Sequence, residues 1–92
     1  MIVRILGEDQ FSIDDAAVAD LNRLDSELEA AVDRDDEAAF KAALRALLDQ
    51  VRAQGSPLPA DTLEPSDLIL PPSDASMDEV RQMLTDEGLI PG

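Results

Sequence analysis

The sequence predicts an α+β fold that is mainly α-helical. Three features predict it: two long segments with apolar residues at helical spacing, a short β-rich N-terminal run, and a proline-rich stretch after the helices. In chain order we expect a β-hairpin (1–13), an antiparallel helical hairpin (15–54), a Pro-rich extended segment (56–75) and a short C-terminal helix (77–87). Since 92 residues is one domain's length, residues 1–92 should form a single domain.

The N-terminal hairpin is predicted from two runs of strand-forming residues. Residues 2–6 and 10–13 are rich in β-branched and aromatic side chains, and Gly7-Glu8-Asp9 between them is typical of a turn. Two strands alone are marginally stable in water, so the hairpin needs apolar support. Its exposed edge would allow pairing with a second copy of the chain, which makes a homodimer possible.

Two amphipathic helices follow, and their apolar stripes should pack against each other. Asp14 and Asp35 are expected to be their N-caps, and Asp25 is placed on the polar face of the first helix. The second helix should end before Gly55, a C-terminal cap residue. The stripes consist of Val18, Leu21, Leu24, Leu28, Ala31 and Val32, and of Phe40, Ala43, Leu44, Leu47, Leu48 and Val51.

The outer face of the second helix carries charges at i,i+4 spacing. Glu37 precedes Lys41 by four residues, and Arg45 precedes Asp49 by four. This spacing predicts two ion pairs along the helix surface.

The segment after the helices is rich in proline, with five of the six prolines between positions 57 and 72. This excludes a long helix. The apolar run 68–70 lies between two proline sites, so we expect an ordered segment with an edge strand beside the hairpin. Ser76 and Glu79 then form a capping box that begins the last helix, and Gly88 should end it.

The residues needed for common catalytic and metal-binding chemistry are missing. The chain has no His, Cys, Tyr or Trp, so no Ser–His pair, thiolate or imidazole ligand can form. An EF-hand loop beginning at Asp33 fails, because Ala38 stands where glycine is needed and Leu44 where glutamate is needed. We therefore expect no catalytic residue, no metal site, no cofactor and no enzymatic activity.

The net charge of −14 limits the kinds of partner. It repels nucleic-acid backbones and anionic lipid surfaces, so we expect neither nucleic-acid binding nor direct membrane binding. No apolar stretch approaches the roughly 20 residues of a membrane span, and the N-terminus does not read as a signal peptide. A cytoplasmic protein is expected.

Binding to another protein is the function that remains. Apolar residues outside the two long helices are the candidate partner-binding residues, although they would also serve to cover a small core. These are Leu63, Leu68, Ile69, Leu70, Leu89 and Ile90. Two alternatives stay open: an acidic inhibitor that mimics nucleic acid in a basic groove, and a metal-dependent enzyme that uses carboxylates.

The chain resembles a small family of actinobacteria and archaea, the phage-shock-protein-A-associated family (PspAA). The resemblance is carried by Met-Ile-Val-Arg-Ile-Leu-Gly-Glu (1–8), Asp-Glu-Ala-Ala-Phe (36–40), Leu-Glu-Pro-Ser-Asp-Leu-Ile-Leu-Pro-Pro (63–72) and Asp-Glu-Gly-Leu-Ile-Pro-Gly (86–92). Arg34 departs from it, because glycine is expected at that helix junction. The resemblance implies a non-enzymatic companion of PspA, a coiled-coil protein that assembles on stressed membranes. Such a companion would reach the inner face of the membrane through its partner.

Overall fold

A computed structural model describes residues 1–59 and 65–84, which form three helices and one four-stranded sheet. In chain order the elements are β1 (Ile2–Ile5), β2 (Gln10–Ser12), α1 (Asp15–Asp33), α2 (Glu37–Gln54), β3 (Ser56–Pro57), β4 (Leu68–Leu70) and α3 (Met77–Met83). The predicted α+β, mainly α fold class is confirmed.

The predicted hairpin lies in the middle of the sheet, whose strand order is β3-β2-β1-β4. β1 and β2 are antiparallel, with Val3 opposite Phe11. Gly7 has a φ of 83° in the connecting turn, where the Glu8 N–H donates to the Ile5 carbonyl at 2.9 Å. This left-handed backbone is the reason for glycine there. The expectation of an exposed hairpin edge was wrong, because β3 and β4 pair with its two outer sides.

The proline-rich segment supplies the edge strand that we expected beside the hairpin. β4 pairs with β1 in parallel, with Arg4 opposite Ile69. Asp67 fixes the start of this pairing: its backbone N–H donates to the Ile2 carbonyl at 2.8 Å, and its carboxylate accepts from the Ile2 N–H at 2.9 Å. The two-residue β3 on the opposite edge was not predicted.

The two long helices cover one face of the sheet. Val3, Ile5 and Phe11 of the sheet share one buried cluster with the leucines of both helices. Phe40 of α2 is 1% exposed and is the largest fully buried side chain. Both predicted apolar stripes therefore contribute to the core.

The prediction that Asp25 lies on the exposed polar face of α1 was wrong, because Asp25 is only 3% exposed. It lies four residues after Leu21 and three before Leu28, so helical geometry puts all three on one side. Leu24, which we placed on the stripe, is half-buried. The Asp25 side chain has an interaction partner within the protein.

The junction between α1 and α2 corrects two further predictions. The Asp36 N–H donates to the Ala31 carbonyl and the Asp35 N–H to the Val32 carbonyl, both at 3.0 Å. This is a Schellman motif, and its left-handed residue is Asp35, with a φ of 56°. Asp36, not Asp35, is the N-cap of α2 and accepts from the Ala39 N–H at 3.1 Å. The glycine-like position is thus 35, and Arg34 has an ordinary right-handed backbone.

Helix α3 begins where we predicted, at residue 77, but it ends before the predicted residue 87. The Ser76 hydroxyl accepts from the Glu79 N–H at 3.1 Å, as in the capping box. The helix ends at Met83 rather than near 87, because Leu84 has an extended backbone. Val80 is fully buried, and the Arg81 guanidinium donates to the Val32 carbonyl at 3.3 Å, where α1 ends. The predicted cap at Gly88 lies outside the described residues.

Candidate interaction surface

The described residues hold no cluster of side chains that is typical of a metal site. Within residues 1–59 and 65–84, no group of three or more His, Cys, Asp or Glu side chains could hold a metal ion. In the same part of the chain, every buried side-chain nitrogen or oxygen has a hydrogen-bond partner. The candidate site is instead a surface with exposed apolar side chains.

The candidate partner-binding residues of β4 have different positions in the fold. Leu68 and Leu70 are 5% and 0% exposed and belong to the core, whereas Ile69 between them is 48% exposed. A strand that covers a core with one face turns alternate side chains to the other face, which explains this pattern. Leu63, Leu89 and Ile90 lie outside the described residues.

Leu6 is an exposed apolar residue that our sequence reasoning missed, with 39% of its surface accessible. The sequence pattern could have predicted its exposure. Val3 and Ile5 point inward, and because side chains alternate along a strand, Arg4 and Leu6 point outward. The Leu6 N–H donates to the Leu70 carbonyl at 3.0 Å, so Leu6 continues the pairing of β1 with β4.

Arg4, Leu6 and Ile69 together form a surface that we call the β1–β4 face. Arg4 lies directly opposite Ile69, and Leu6 follows Arg4 on the same side of β1. Adjacent strands are about 4.8 Å apart, so Arg4 lies beside Ile69, and Leu6 lies diagonally from Ile69, two residues further along the pairing of β1 with β4. The face thus carries two exposed apolar side chains and one cation. Arg4 forms no ion pair with any described residue, so its charge is available to a partner.

Part of the same side of the sheet is covered by the chain itself. Gln10 precedes the inward-facing Phe11, so it points away from the helices. It is nevertheless 7% exposed, and its amide donates to the Ser66 hydroxyl at 2.7 Å. Among the described residues, the β1–β4 face carries the large apolar side chains that stay exposed, Leu6 and Ile69.

Among the described residues no strand pairs with the outer edge of β4, and this edge is poorly suited to strand addition. Because the Leu70 carbonyl faces β1, the N–H and carbonyl of Ile69 point to the open edge. The next outward position is Pro71, which has no N–H to donate. A proline at this point protects a sheet edge from pairing with other chains. A partner at this surface would therefore meet side chains rather than a free strand edge.

The charge is unevenly distributed between the helices. α1 carries six acidic residues and one basic residue, whereas α2 carries two acidic and three basic residues. None of the helices in the described part of the chain is long and apolar enough to cross a membrane. The described surface thus combines an acidic helix, a less acidic helix and the small apolar β1–β4 face.

Comparisons with known proteins agree with the resemblance seen in the sequence. Comparison with curated proteins and with solved structures gave no match. The sequence model of the family described as PspA-associated protein (PspAA) matches residues 1–92, the full sequence. The chain therefore belongs to the PspA-associated protein family.

Proposed function

We propose that this chain is a non-enzymatic accessory protein that binds a PspA-type coiled-coil protein through its β1–β4 face. The observation that carries the proposal is the family match over residues 1–92, since the family is described by its association with PspA. The absence of His and Cys supports a role in binding rather than in catalysis. The cytoplasm is the proposed location, with the inner face of the membrane reached through the partner.

The β1–β4 face fits the apolar side of a helix. Ile69 and Leu6 are 48% and 39% exposed, and a helix lying across them would remove both from water. Complete burial of such a side chain contributes about 1.5–3 kcal/mol, so half of one contributes roughly 1 kcal/mol. Arg4 could pair with a carboxylate at the edge of the same helix.

Substitution of Ile69 tests this surface without disturbing the core. Ile69→Asp is expected to weaken binding to a purified PspA-type protein by at least about tenfold, because it puts a charge into an apolar contact. Ala19→Asp is the matched control, since it adds the same charge at an exposed position of α1. Titration calorimetry measures both affinities. A Leu68→Asp change is unsuitable, because Leu68 is 5% exposed and the variant would report on folding.

The alternative function, an acidic inhibitor that mimics nucleic acid, draws on the acidic surface of α1. It predicts affinity that falls steeply with salt and competition by DNA. An apolar contact predicts affinity that changes little between low and high salt. Repeating the titration at several salt concentrations separates the two. If the parent protein fails to bind the PspA-type protein at any salt concentration, the proposed partner is wrong.

A further inference from the structure

A cleft of about 880 Å³ lies between α2 and the turn formed by residues 73–75. Phe40 and Leu44 of the core reach its floor. The charged residues along its α2 side are Lys41, Arg45, Asp49 and Arg52. The volume is within the roughly 300–1,000 Å³ of typical ligand sites. It lies on α2 and not on the β1–β4 face, so it is independent of the function proposed above.

The cleft contains three of the seven basic residues of a chain with a net charge of −14. Arg52 is neutralised, because it pairs with Glu8 and with Asp49. Lys41 and Arg45 are different: both are exposed, and neither forms an ion pair with any described residue. The ion pairs predicted from Glu37 to Lys41 and from Arg45 to Asp49 do not form. Asp49 instead pairs with Arg52 at 3.0 Å.

Two free cations one helical turn apart are unfavourable in isolation. Like charges at i,i+4 destabilise a helix slightly, and Lys41 and Arg45 have this spacing. An anion between them would remove the repulsion and accept charge-assisted hydrogen bonds from both side chains. The arrangement therefore favours a bound anionic group at this point of the cleft.

The opposite wall of the cleft carries side chains that can bind the polar groups of a peptide. Ser73 can donate a hydroxyl hydrogen to an anion, and the Asp74 carboxylate can accept from an amide N–H. A ligand that matches both walls has a carboxylate and nearby backbone amides, which describes an aspartate or glutamate within a polypeptide.

The overall charge decides against extended polyanions. Nucleic acid or an anionic membrane at the cleft would also face the acidic remainder of the molecule, including the six acids of α1. A single carboxylate meets mainly the charges that line the cleft, because screening at physiological salt reduces interactions beyond about 8 Å. These are three cations and the two carboxylates of Asp49 and Asp74, so the local charge is still positive. We propose that this cleft binds an acidic segment of a partner protein, with one carboxylate held between Lys41 and Arg45.

Amide NMR titration of the full chain tests the cleft directly. The probe is the peptide acetyl-Ala-Leu-Glu-Leu-Ala-amide, with the glutamine analogue as its control. We expect the glutamate peptide to shift the amide signals of residues 41–45 and 73–75, and the glutamine analogue to bind about tenfold more weakly. Inorganic phosphate is a third titrant.

Two double variants separate the local site from overall charge. Lys41→Ala with Arg45→Ala should weaken glutamate-peptide binding by at least about tenfold. Arg23→Ala with Arg34→Ala should leave it unchanged, although both double variants change the net charge from −14 to −16 by removing two cations. Lys41→Arg with Arg45→Lys should retain binding.

Several results would overturn the proposal. These are absence of shifts at residues 41–45 and 73–75, equal affinity for the glutamate and glutamine peptides, and equal effects of the two alanine variants. Tighter binding of phosphate than of the glutamate peptide at the same amides would also overturn it. None of these results bears on the binding of a PspA-type protein to the β1–β4 face.

Discussion

Arg52 connects the end of α2 to the turn between β1 and β2. Its guanidinium donates from Nε to a Glu8 carboxylate oxygen at 3.0 Å and from Nη2 to the other oxygen. These hydrogen bonds lower the pKa of Glu8 below its ordinary value. A carboxylate with a lowered pKa stabilises the fold above its unfolded pKa, and this contribution is lost as the pH falls through the folded pKa.

Arg52→Gln should therefore destabilise the protein at neutral pH and much less in acid. Both side chains are about one-third exposed, at 34% and 35%, so solvent screening limits the loss to about 0.5 kcal/mol at pH 7. Urea unfolding at pH 7 and at about pH 3 measures the difference, which should shrink at the lower pH as Glu8 becomes protonated. Arg45→Gln is the control with the same charge change and no ion pair. Equal losses in both variants would show that net charge, not this pair, is responsible.

Gly55 is required for space rather than for its backbone angle. Its φ is −85°, which any residue can adopt. A Cβ here would meet the Val51 carbonyl oxygen at 2.6 Å, the Ile13 side chain at 2.7 Å and the Phe11 Cβ at 2.9 Å. Of these three, the helix carbonyl and the Phe11 Cβ cannot move without shifting the backbone. The glycine thus lets the end of α2 approach the β2 region closely.

Gly55→Ala should lower the free energy of unfolding by about 2 kcal/mol, because overpacking forces the backbone to shift. Gly7→Ala is the comparison: a Cβ there meets nothing within 4 Å, so only the left-handed φ of 83° opposes it. That cost is about 1 kcal/mol. Urea unfolding of both variants tests the order, and a smaller loss at position 55 than at position 7 would contradict the steric explanation.

At the scale of the elements, the two long helices differ in how they begin. Asp36 accepts a hydrogen bond from the Ala39 N–H and caps α2, whereas Asp14 at the start of α1 makes no side-chain cap bond. Asp36→Ala should cost about 1 kcal/mol of stability, the usual contribution of an N-cap. Asp14→Ala should cost less. Thermal unfolding compares the two, and a larger effect at Asp14 would contradict the capping geometry.

Local sequence patterns predicted the helices and the hairpin, but they did not predict which strands pair over long sequence separations. The bounds of α1 follow from its apolar spacing, and the hairpin follows from its β-rich runs and turn residues. β3 is two residues long and is a strand only because it pairs with Phe11 and Ser12, so its own residues gave no pattern that predicts a strand. The buried Asp25 was missed because a charge was assumed to face water, although its spacing from Leu21 and Leu28 placed it in the stripe.

The candidate surface was predictable only in part, because it depends on how β4 pairs with β1. The apolar run in β4 predicted three candidate residues, of which only Ile69 is exposed. Choosing among them requires knowledge of which face meets the helices, and that depends on the parallel pairing with β1. Leu6 was missed because its outward position becomes significant only when Ile69 stands on the neighbouring strand.

At the scale of the whole molecule, charge should prevent membrane contact unless a partner provides it. The net charge is −14, and an anionic leaflet has a surface potential of about −30 mV that repels it. The chain alone should therefore stay in the supernatant when anionic vesicles are sedimented. After a PspA-type protein is bound to the vesicles, the proposed function predicts that the chain sediments with them through a contact with this partner.

Sedimentation with anionic vesicles, with and without the PspA-type protein, measures the fraction of chain in the pellet. Ile69→Asp should abolish the recruitment, and Ala19→Asp should preserve it, because both add one negative charge and only the first alters the β1–β4 face. Vesicles of neutral lipid without the partner should give the same low background as anionic ones. Sedimentation of the chain with anionic vesicles alone would contradict this picture, since it would require a lipid contact strong enough to overcome the repulsion.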